Sequence, residues 1–321
     1  MAYQPPFNPT NKIGNLAMEI AEMVGALIPS SSLNTNPQLH RRLRIKTIHS
    51  SLLIEGNGLS EDEVFAILDG KKVLGRTSDI REVENAGRAY DLIDQLDPFK
   101  LDDLLRAHGI MMNGLVEDAG TFRSSNAGVF DGERLIHAGT PASYIPEIMH
   151  DLFAWLADTD LHPLIYSCIF HYEFEFIHPF ADGNGRTGRL WHTLMLSRWR
   201  SILAWLPIES VIRDRQQGYY SAIAESNATG SCEAFVMFML KVIRDSMLPY
   251  LEQENGQESR EEKILGLLTT RPNLTVSTIV QETGLPRRTV ERILATLKGS
   301  NRLIRHGSPR AGRWEVVDDG N

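Results

Sequence analysis

The chain has 321 residues and a mass of 36.1 kDa, with 42% hydrophobic and 23% charged residues. This length and composition predict about two globular domains, with enough apolar side chains to form a core without disulfides or metals. The two cysteines, Cys168 and Cys232, form no CxxC pair, which excludes a zinc ribbon, an iron–sulfur site and a disulfide scaffold. No apolar run approaches the ~18 residues of a membrane span, and no secretory signal is visible, so we expect a cytoplasmic protein without a membrane partner.

The net charge of −8 argues against attraction of the whole chain to nucleic acid, but the charge is unevenly distributed. From Arg260 to the end there are 11 basic and 7 acidic residues, a net charge of +4, which leaves 22 basic and 34 acidic residues before it, a net charge of −12. The acidic body and the basic tail are therefore interpreted as separate units.

Apolar residues at helical spacing predict that most of the body is helical. The predicted helices cover residues 15–28, 39–54, 60–68, 80–96, 101–115, 145–158, 163–177, 186–200, 215–227 and 233–254. Glycines, an Asp-Gly pair and short apolar pairs between residues 121 and 140 predict a β-hairpin. Because strands do not alternate with helices, a parallel α/β sheet is disfavoured and the predicted fold class is mainly α.

A polar, glycine-containing stretch at residues 253–259 predicts a linker before the basic tail. Three predicted helices follow, and then two short strands within residues 300–317, an order that resembles a small winged helix-turn-helix (α+β) domain. The predicted division is an N-terminal helical region at 1–110, a central core at 111–255 and the winged helix at 258–321.

The segment HPFADGNGRTGR at residues 178–189 carries the strongest chemical signal. A glycine-rich loop that opens a helix presents unpaired N–H groups and the positive end of the helix dipole. Arg186 and Arg189 lie on one face of the first turn, where two cations are unfavourable unless an anion lies between them. Asp182 is an oxygen ligand suited to Mg²⁺ on the same phosphates, and His178 is suited to be a general base. Together these residue types predict metal-assisted chemistry on a nucleotide phosphate.

Two other interpretations of this segment stay open from spacing alone. The glycines at 183, 185 and 188 also match a dinucleotide fingerprint, although Pro179 and Asp182 interrupt the strand which that fingerprint requires. Ordinary arginine–carboxylate pairs would also order such a loop without any ligand.

Residues 178–189 match every fixed position of HPFx(D/E)GNGRxxR and so resemble the signature of Fic-domain proteins, a resemblance that extends over roughly residues 5–250. It implies a Fic-type helical core with a hairpin flap. It also implies an enzyme that transfers AMP from ATP to a Tyr, Thr or Ser hydroxyl of a target protein. ATP would be the substrate, Mg²⁺ the cofactor and the target protein the partner.

The resemblance also implies a role for each matched residue. His178 would deprotonate the target hydroxyl, Asp182 would hold Mg²⁺, and Arg189 would meet the γ-phosphate. The anion nest for the α- and β-phosphates would consist of Gly183, Asn184, Gly185 and Arg186. The hairpin segment Leu135, Ile136, His137 and Ala138 would align the target by strand addition. Tyr220 and Asn227 would line the adenine pocket, with core packing of Tyr219 and Tyr220 as the alternative.

Ser51 to Gly56 resembles the inhibitory motif (S/T)xxxE(G/N), in a helix at about 39–56, as in class II members of the family. Ser51 and Glu55 are one turn apart on one helix face. A carboxylate at a helix C-terminus is unfavourable without a cation, and Arg189 needs an anion, so we expect the two to pair and to block the γ-phosphate. The alternative is an exposed Glu55 at the edge of a loop.

In the tail, the third predicted helix carries Arg287, Arg288 and Arg292, and the predicted wing carries Arg310. In the helix-turn-helix geometry these positions reach DNA bases and phosphates. Docking of a protein, including formation of a homo-oligomer, is the alternative.

The sequence thus predicts a protein adenylyltransferase that is autoinhibited by Glu55. An enzyme that removes AMP with the same site is the first alternative. A DNA-binding regulator that only senses nucleotide is the second, and it would have no need of the base His178.

Overall fold

The structure, a computed structural model, describes residues 3–28, 33, 36–126, 128–131, 134–138, 140–307 and 312–317, with side chains excluded at 128–131, 134–138 and 252–259. The chain divides into two compact units, residues 1–248 and residues 249–321. Each unit is described by itself.

The first half of unit 1 is a run of helices followed by a hairpin. The helices are α1 (Asn11–Leu27), α2 (Pro37–Ile54), α3 (Glu61–Leu68), α4 (Thr77–Asp91) and α5 (Leu101–Met111). The hairpin pairs β1 (Gly128–Asp131) with β2 (Arg134–Ala138) in antiparallel register, and a bulge lies between Val129 and Phe130. The predicted hairpin is therefore present.

The second half of unit 1 is again helical. Its elements are α6 (Ile145–Asp158), α7 (Pro163–Ile177), α8 (Asn184–Trp199), a 3₁₀ turn (Ser201–Trp205), α9 (Ile208–Asp214), α10 (Gln216–Thr229) and α11 (Glu233–Thr270). Helices α7 and α8 pack against each other and are buried on nearly all sides, as expected of central helices. Phe170, Phe174 and Trp191 are completely buried between them and their neighbours. This central pair fixes the loop between α7 and α8, where the signature lies.

Unit 2 contains the end of α11, then α12 (Val276–Thr283), α13 (Arg287–Gly299) and an antiparallel pair, β3 (Leu303–His306) and β4 (Arg313–Val316). Its small core is apolar and includes Ile264, Ile279, Ile293, Leu297 and Trp314. The predicted fold class, a mainly helical core with a hairpin followed by a small winged-helix-like region, is confirmed.

Several predicted boundaries are wrong. Residues 253–259 are helical within α11, not an irregular linker. The reason is that Glu and Gln favour helices and a single glycine costs only about 1 kcal/mol, so a polar stretch does not by itself predict a loop. Helices α4 and α5 end at Asp91 and Met111, earlier than predicted, because apolar spacing continues into the turns that follow them.

Candidate active site

Helix α7 ends at Ile177, and its C-cap is His178, the first residue of the signature. Its backbone is left-handed, with φ of 52°, a conformation that residues other than glycine rarely adopt. Arg123 supports this conformation, because its Nε donates to the His178 carbonyl at 2.7 Å. The Arg123 guanidinium also donates to three further carbonyls, those of Ser125, Thr140 and Ile177. Arg123, only 2% exposed, thus fixes the turn that positions His178.

The imidazole of His178 lies in a largely buried position. Burial lowers its pKa below the usual value, an effect that the Glu175 carboxylate opposes and the Arg123 guanidinium reinforces. The Nδ1 atom is buried and has no hydrogen-bond partner among the described residues. A lowered pKa keeps the ring neutral near pH 7, the state in which it accepts a proton.

Two side chains close the loop between α7 and α8. Asn184 accepts a hydrogen bond from the Phe180 amide and donates one to the Phe180 carbonyl, both at 2.9 Å. His108 accepts from the Gly120 N–H at Nδ1, so its Nε2 carries the proton and donates to the Asp182 carbonyl at 2.9 Å. The His108 ring also stacks on Phe180 at 3.6 Å. The Asn184 side chain therefore closes the loop through the backbone of Phe180.

Helix α8 begins with an anion-binding geometry. Gly183 precedes it in a left-handed conformation, with φ of 83°, and no side chain caps the first turn. The first N–H groups of the helix therefore face the pocket with the positive end of the dipole. Such an end binds phosphate oxygens.

Arg186 is held between two carboxylates. Its Nη1 donates to Glu82 Oε1 at 3.0 Å and its Nη2 to Asp182 Oδ1 at 2.9 Å. The other Glu82 oxygen accepts from Asn57 Nδ2 at 2.8 Å, just beyond the end of α2. Glu82 thus connects the first signature arginine to the segment that follows α2.

Arg189 is completely buried beneath the C-terminus of α2. Its Nη2 donates to Glu55 Oε1 at 2.7 Å, and its Nε donates to Ser51 Oγ at 3.0 Å. The Ser51 carbonyl accepts a further bond at 2.9 Å. Burial alone would lower the pKa of Arg189, but the Glu55 carboxylate raises it above its usual value. Both residues of the predicted inhibitory motif therefore contact the predicted γ-phosphate arginine.

The Glu55 carboxylate lies directly on the anion-binding end of α8. A Cβ added at Gly185 would collide with the Glu55 carboxylate and would also meet Arg189. Only a glycine allows this approach, which places a protein carboxylate where the helix end attracts an anion.

One cavity of about 210 Å³ collects nine of the eleven residues predicted for the nucleotide site and the inhibitory motif. It is lined by Glu55, Glu175, Phe176, His178, Ala181, Asp182, Gly183, Asn184, Gly185, Arg189, Tyr219, Tyr220, Ile223 and Asn227. The other two, Ser51 and Arg186, are not part of the lining; they bond to Arg189 and to Asp182, respectively. The structure thus brings the predicted base, the loop, the Glu55 carboxylate and the predicted adenine residues into one place.

The predicted adenine end of the cavity is polar and partly unsatisfied. Asn227 Oδ1 accepts from the Tyr172 hydroxyl at 2.9 Å, while Asn227 Nδ2 is buried without a partner among the described residues. The Tyr220 hydroxyl lies 3.5 Å from Gln216 Nε2. Tyr219, by contrast, is buried with its hydroxyl 3.1 Å from His171 Nε2.

Glu175 is a site residue that the sequence argument did not identify. It lines the cavity, Oε1 is buried without a hydrogen bond to a described residue, and burial raises the pKa of Glu175 to about 7. The signal available in the sequence is a glutamate within the otherwise apolar segment Phe174–Ile177. Arg123, His108 and Glu82 were also missed.

The hairpin has the predicted strands, and β2, which contains Leu135, Ile136, His137 and Ala138, lies beside α10 at one edge of the site. The side chains of these four residues are outside the described part of the chain. Their role toward a target stays a prediction.

The tail places Arg287, Arg288 and Arg292 on the exposed side of α13. Arg287 Nε donates to Glu291 Oε1 at 2.8 Å, an exposed pair of small energetic value. Arg310 lies outside the described residues. DNA contact by these residues stays a prediction.

Among the described residues, no group of three or more His, Cys, Asp or Glu side chains is arranged to hold a metal. This agrees with the way Mg²⁺ binds beside nucleotides, through one or two carboxylates and the phosphates themselves. Asp182 fits that role because it lines the cavity and its side chain is 59% exposed.

In the same described part of the chain, none of the helices combines the length and apolar composition needed to cross a bilayer.

Comparison with known proteins agrees with this site. Residues 98–196 match the Fic/DOC family, and residues 263–299 match the IclR helix-turn-helix domain. A solved Fic family protein from Desulfovibrio desulfuricans G20 is 41% identical, with a TM-score of 0.76, over 99% of this chain and 100% of that one. The fold and these matches define a helical Fic-type domain followed by a helix-turn-helix region. The chain belongs to the Fic family.

Curated relatives are more distant. The protein adenylyltransferase fic-1 of Caenorhabditis elegans is 30% identical over 64% of this chain and 40% of its own length. The protein adenylyltransferase Fic of Nematostella vectensis is 26% identical over 70% of this chain and 52% of its own length. The chain thus spans about half the length of the curated relatives it matches. A solved segment of C. elegans Fic-1, 22% identical with a TM-score of 0.63 over 76% of this chain and 73% of the segment, shares the fold.

Proposed function

We propose that the protein is an adenylyltransferase that transfers AMP from ATP to a hydroxyl side chain of a target protein. One observation carries the proposal: the His178 imidazole, with a lowered pKa, lines the same cavity as the uncapped N-terminus of α8. A protein that only senses nucleotide needs the helix end but not a base. The adenylyltransferases fic-1 and Fic among the relatives support the same activity.

The chemistry assigned to each residue follows from its position. His178 accepts the proton of the target hydroxyl, whose oxygen attacks the α-phosphorus while pyrophosphate leaves. The backbone N–H groups at Asn184 and Gly185 and the guanidinium of Arg186 stabilise charge on the phosphates. The Gly183 N–H donates to Asp182 Oδ1 at 2.6 Å in this structure, and it would join them once Asp182 releases it. Mg²⁺, held by Asp182, would neutralise further phosphate charge. The hairpin strand β2 would offer its backbone edge to an extended target segment.

We propose further that Glu55 inhibits this activity in the manner of class II members. The carboxylate occupies both the anion-binding helix end and the Arg189 guanidinium, so a γ-phosphate has no cation to contact while the pair is intact. Release of the pair would free Arg189 in a position that is already buried and oriented by Ser51.

For unit 2 we propose DNA contact by the start of α13. The match to the IclR helix-turn-helix domain and the exposed Arg287, Arg288 and Arg292 support this function. Substitution of Arg288 with Ala should weaken binding to DNA, and binding should fall steeply with salt. Unchanged binding, or no binding at low salt, would favour docking of a protein instead.

The adenylyltransferase proposal is tested with the purified full chain, ATP labelled on the α-phosphate and Mg²⁺. The Glu55→Gly variant should incorporate label into protein, whereas Glu55→Gly combined with His178→Ala should not. Release of AMP from a labelled protein without new incorporation would instead indicate that the site removes AMP. ATP binding without either reaction would support a sensor.

A further inference from the structure

A second cavity, of about 470 Å³, lies in unit 1 outside the site described above. Its walls come from α2, α3, the end of α4 and the 3₁₀ turn at Ser201–Trp205. The apolar part of the lining consists of Ile45, Ile48, Leu68, Ile93 and the rings of Tyr90 and Trp205. A cavity of this volume accommodates a small organic molecule.

Arg44 lines this cavity together with four other polar or charged residues, which are His40, Arg41, Asp91 and Asp94. Its guanidinium carbon lies 5.0 Å from the Tyr90 ring centroid and 5.0 Å from the Trp205 ring centroid, so the cation is held by two aromatic rings. The His40 ring stacks on the same tryptophan at 4.0 Å. Long arginine side chains are otherwise free to rotate, and this aromatic contact fixes the guanidinium in one position.

The Arg44 guanidinium has fewer acceptors among the described residues than the buried arginines Arg123 and Arg189. Arg123 donates to four backbone carbonyls, and Arg189 donates to Glu55 and Ser51. Arg44 is half-buried, but its Nη1 atom is buried with no hydrogen-bond partner among the described residues. Burial lowers the pKa of Arg44, an effect that the carboxylates of Glu209, Asp91 and Asp94 oppose. A buried N–H of a cation without an acceptor is unfavourable, and a ligand that supplies the acceptor removes this cost.

The charges around the cavity restrict the ligand. Asp91 and Asp94 line the cavity and are exposed. Because repulsion scales with charge, these carboxylates repel a dianion such as a phosphate ester about twice as strongly as a monoanion. A guanidinium matches one carboxylate through two parallel hydrogen bonds. The apolar walls match a hydrocarbon body of a few carbon atoms.

We propose that this cavity is a second ligand site, which binds a small monocarboxylate with an apolar body through the Arg44 guanidinium. The carboxylate accepts from Arg44, and the hydrocarbon part lies against Ile45, Ile48 and Ile93. The second site and Glu55 share helix α2. Arg44 lies about three turns before Glu55, which corresponds to about 16 Å along the helix axis. The proposal does not depend on the adenylyltransferase activity.

The test measures binding to the full chain by calorimetry and by ligand-observed NMR. The probes are 4-methylpentanoate, phenylacetate and 3-phenylpropanoate, with 4-methylpentanamide as the neutral isostere and inorganic phosphate as the alternative anion. At least one carboxylate should bind saturably and more tightly than the amide by about tenfold, because the amide cannot form the charged pair. Absence of saturable binding of all three carboxylates up to about 20 mM, a range that covers weak fragment binding, would overturn the proposal. Binding of phosphate alone would overturn it as well.

Two matched variants locate the site. Arg44→Met should abolish carboxylate binding and, because it removes a buried N–H that has no acceptor among the described residues, should raise the melting temperature without ligand. Arg42→Met, on the exposed side of the same helix, should change neither property. Equal binding by the wild type and Arg44→Met would contradict the assignment. Since the comparison of carboxylate with amide uses the wild type, it tests the proposal even if Arg44→Met fails to fold.

Discussion

Glu55 and Arg189 form an ion pair of 2.7 Å in which the arginine is 1% exposed and the glutamate 29% exposed. The pair joins the C-terminal end of α2 to α8, the helix that begins with the signature loop. Arg189 also donates to the side chain and the carbonyl of Ser51, so it keeps two further hydrogen-bond acceptors in the same helix when the Glu55 carboxylate is removed by substitution. This arrangement makes Glu55 the member of the pair to substitute when the proposed inhibition is tested.

The first prediction concerns the base. His178→Ala, in a Glu55→Gly background, should reduce AMP transfer by about 10²–10⁴ in rate, the usual contribution of a general base, and should leave ATP affinity within about threefold. The ring lines the cavity beside the loop, but phosphate contacts come from the helix end and the arginines. Rates of label incorporation and equilibrium ATP binding check the two parts. The exposed His150, substituted with Ala, is the control, and an unchanged rate in the His178 variant would show that the assigned mechanism is wrong.

The second prediction concerns the turn at His178. Arg123→Lys keeps the positive charge but loses the planar guanidinium group, whose several N–H groups donate to separate carbonyls. It should lower kcat for transfer by at least about tenfold with little change in KM for ATP, since His178 is misplaced while the helix end stays intact. The stability of the variant should also fall, because carbonyls at the end of α7 lose their donor. Activity equal to that of the parent would mean that the left-handed turn does not need Arg123.

The third prediction concerns Glu175 and pH. Since burial raises its pKa to about 7, the folded protein binds a proton more tightly than the unfolded chain between about pH 4.5 and pH 7. The contribution of Glu175 to the free energy of unfolding should therefore decline as pH rises through this window. A shift of this size corresponds to at most about 3 kcal/mol.

Glu175→Gln removes this titration, so the variant should gain stability over the wild type at pH 8 and lose that advantage at pH 4.5. Denaturant unfolding of both proteins at the two pH values measures the difference. The control is Glu147→Gln, since Glu147 is an exposed glutamate on α6. A constant difference between the proteins at both pH values would show that Glu175 titrates normally.

The sequence predicted the part of the site that is local. Residues 178–189 contain glycines that open a loop and two arginines that need an anion. Residues 51–56 contain a carboxylate at a helix end that needs a cation. Their pairing across 134 positions, between Glu55 and Arg189, followed from this mutual requirement.

The residues that were missed act through distant partners. Arg123 and His108 bond mainly to backbone groups of the signature loop, and backbone acceptors leave no pattern in a sequence. Glu82 is recognisable only once α4 is seen beside the loop. The linker predicted at residues 253–259 is wrong for a different reason. Polar residues are common both in solvent-exposed helices and in loops, so composition alone does not distinguish the two. Arg44 was not recognised because an arginine on a polar helix face is usually solvated.

The proposed inhibition of AMP transfer by Glu55 is tested by a comparison of four proteins. Incorporation of α-phosphate label into protein is compared for the wild type, Glu55→Gly, Arg189→Ala and the double variant over a range of ATP concentrations. Glu55→Gly should be faster than the wild type by one to several orders of magnitude, each order corresponding to about 1.4 kcal/mol. Arg189→Ala and the double variant should stay equally slow, because both lack the γ-phosphate cation and the two substitutions share one partner. Equal labelling by the wild type and Glu55→Gly at every ATP concentration would contradict the account.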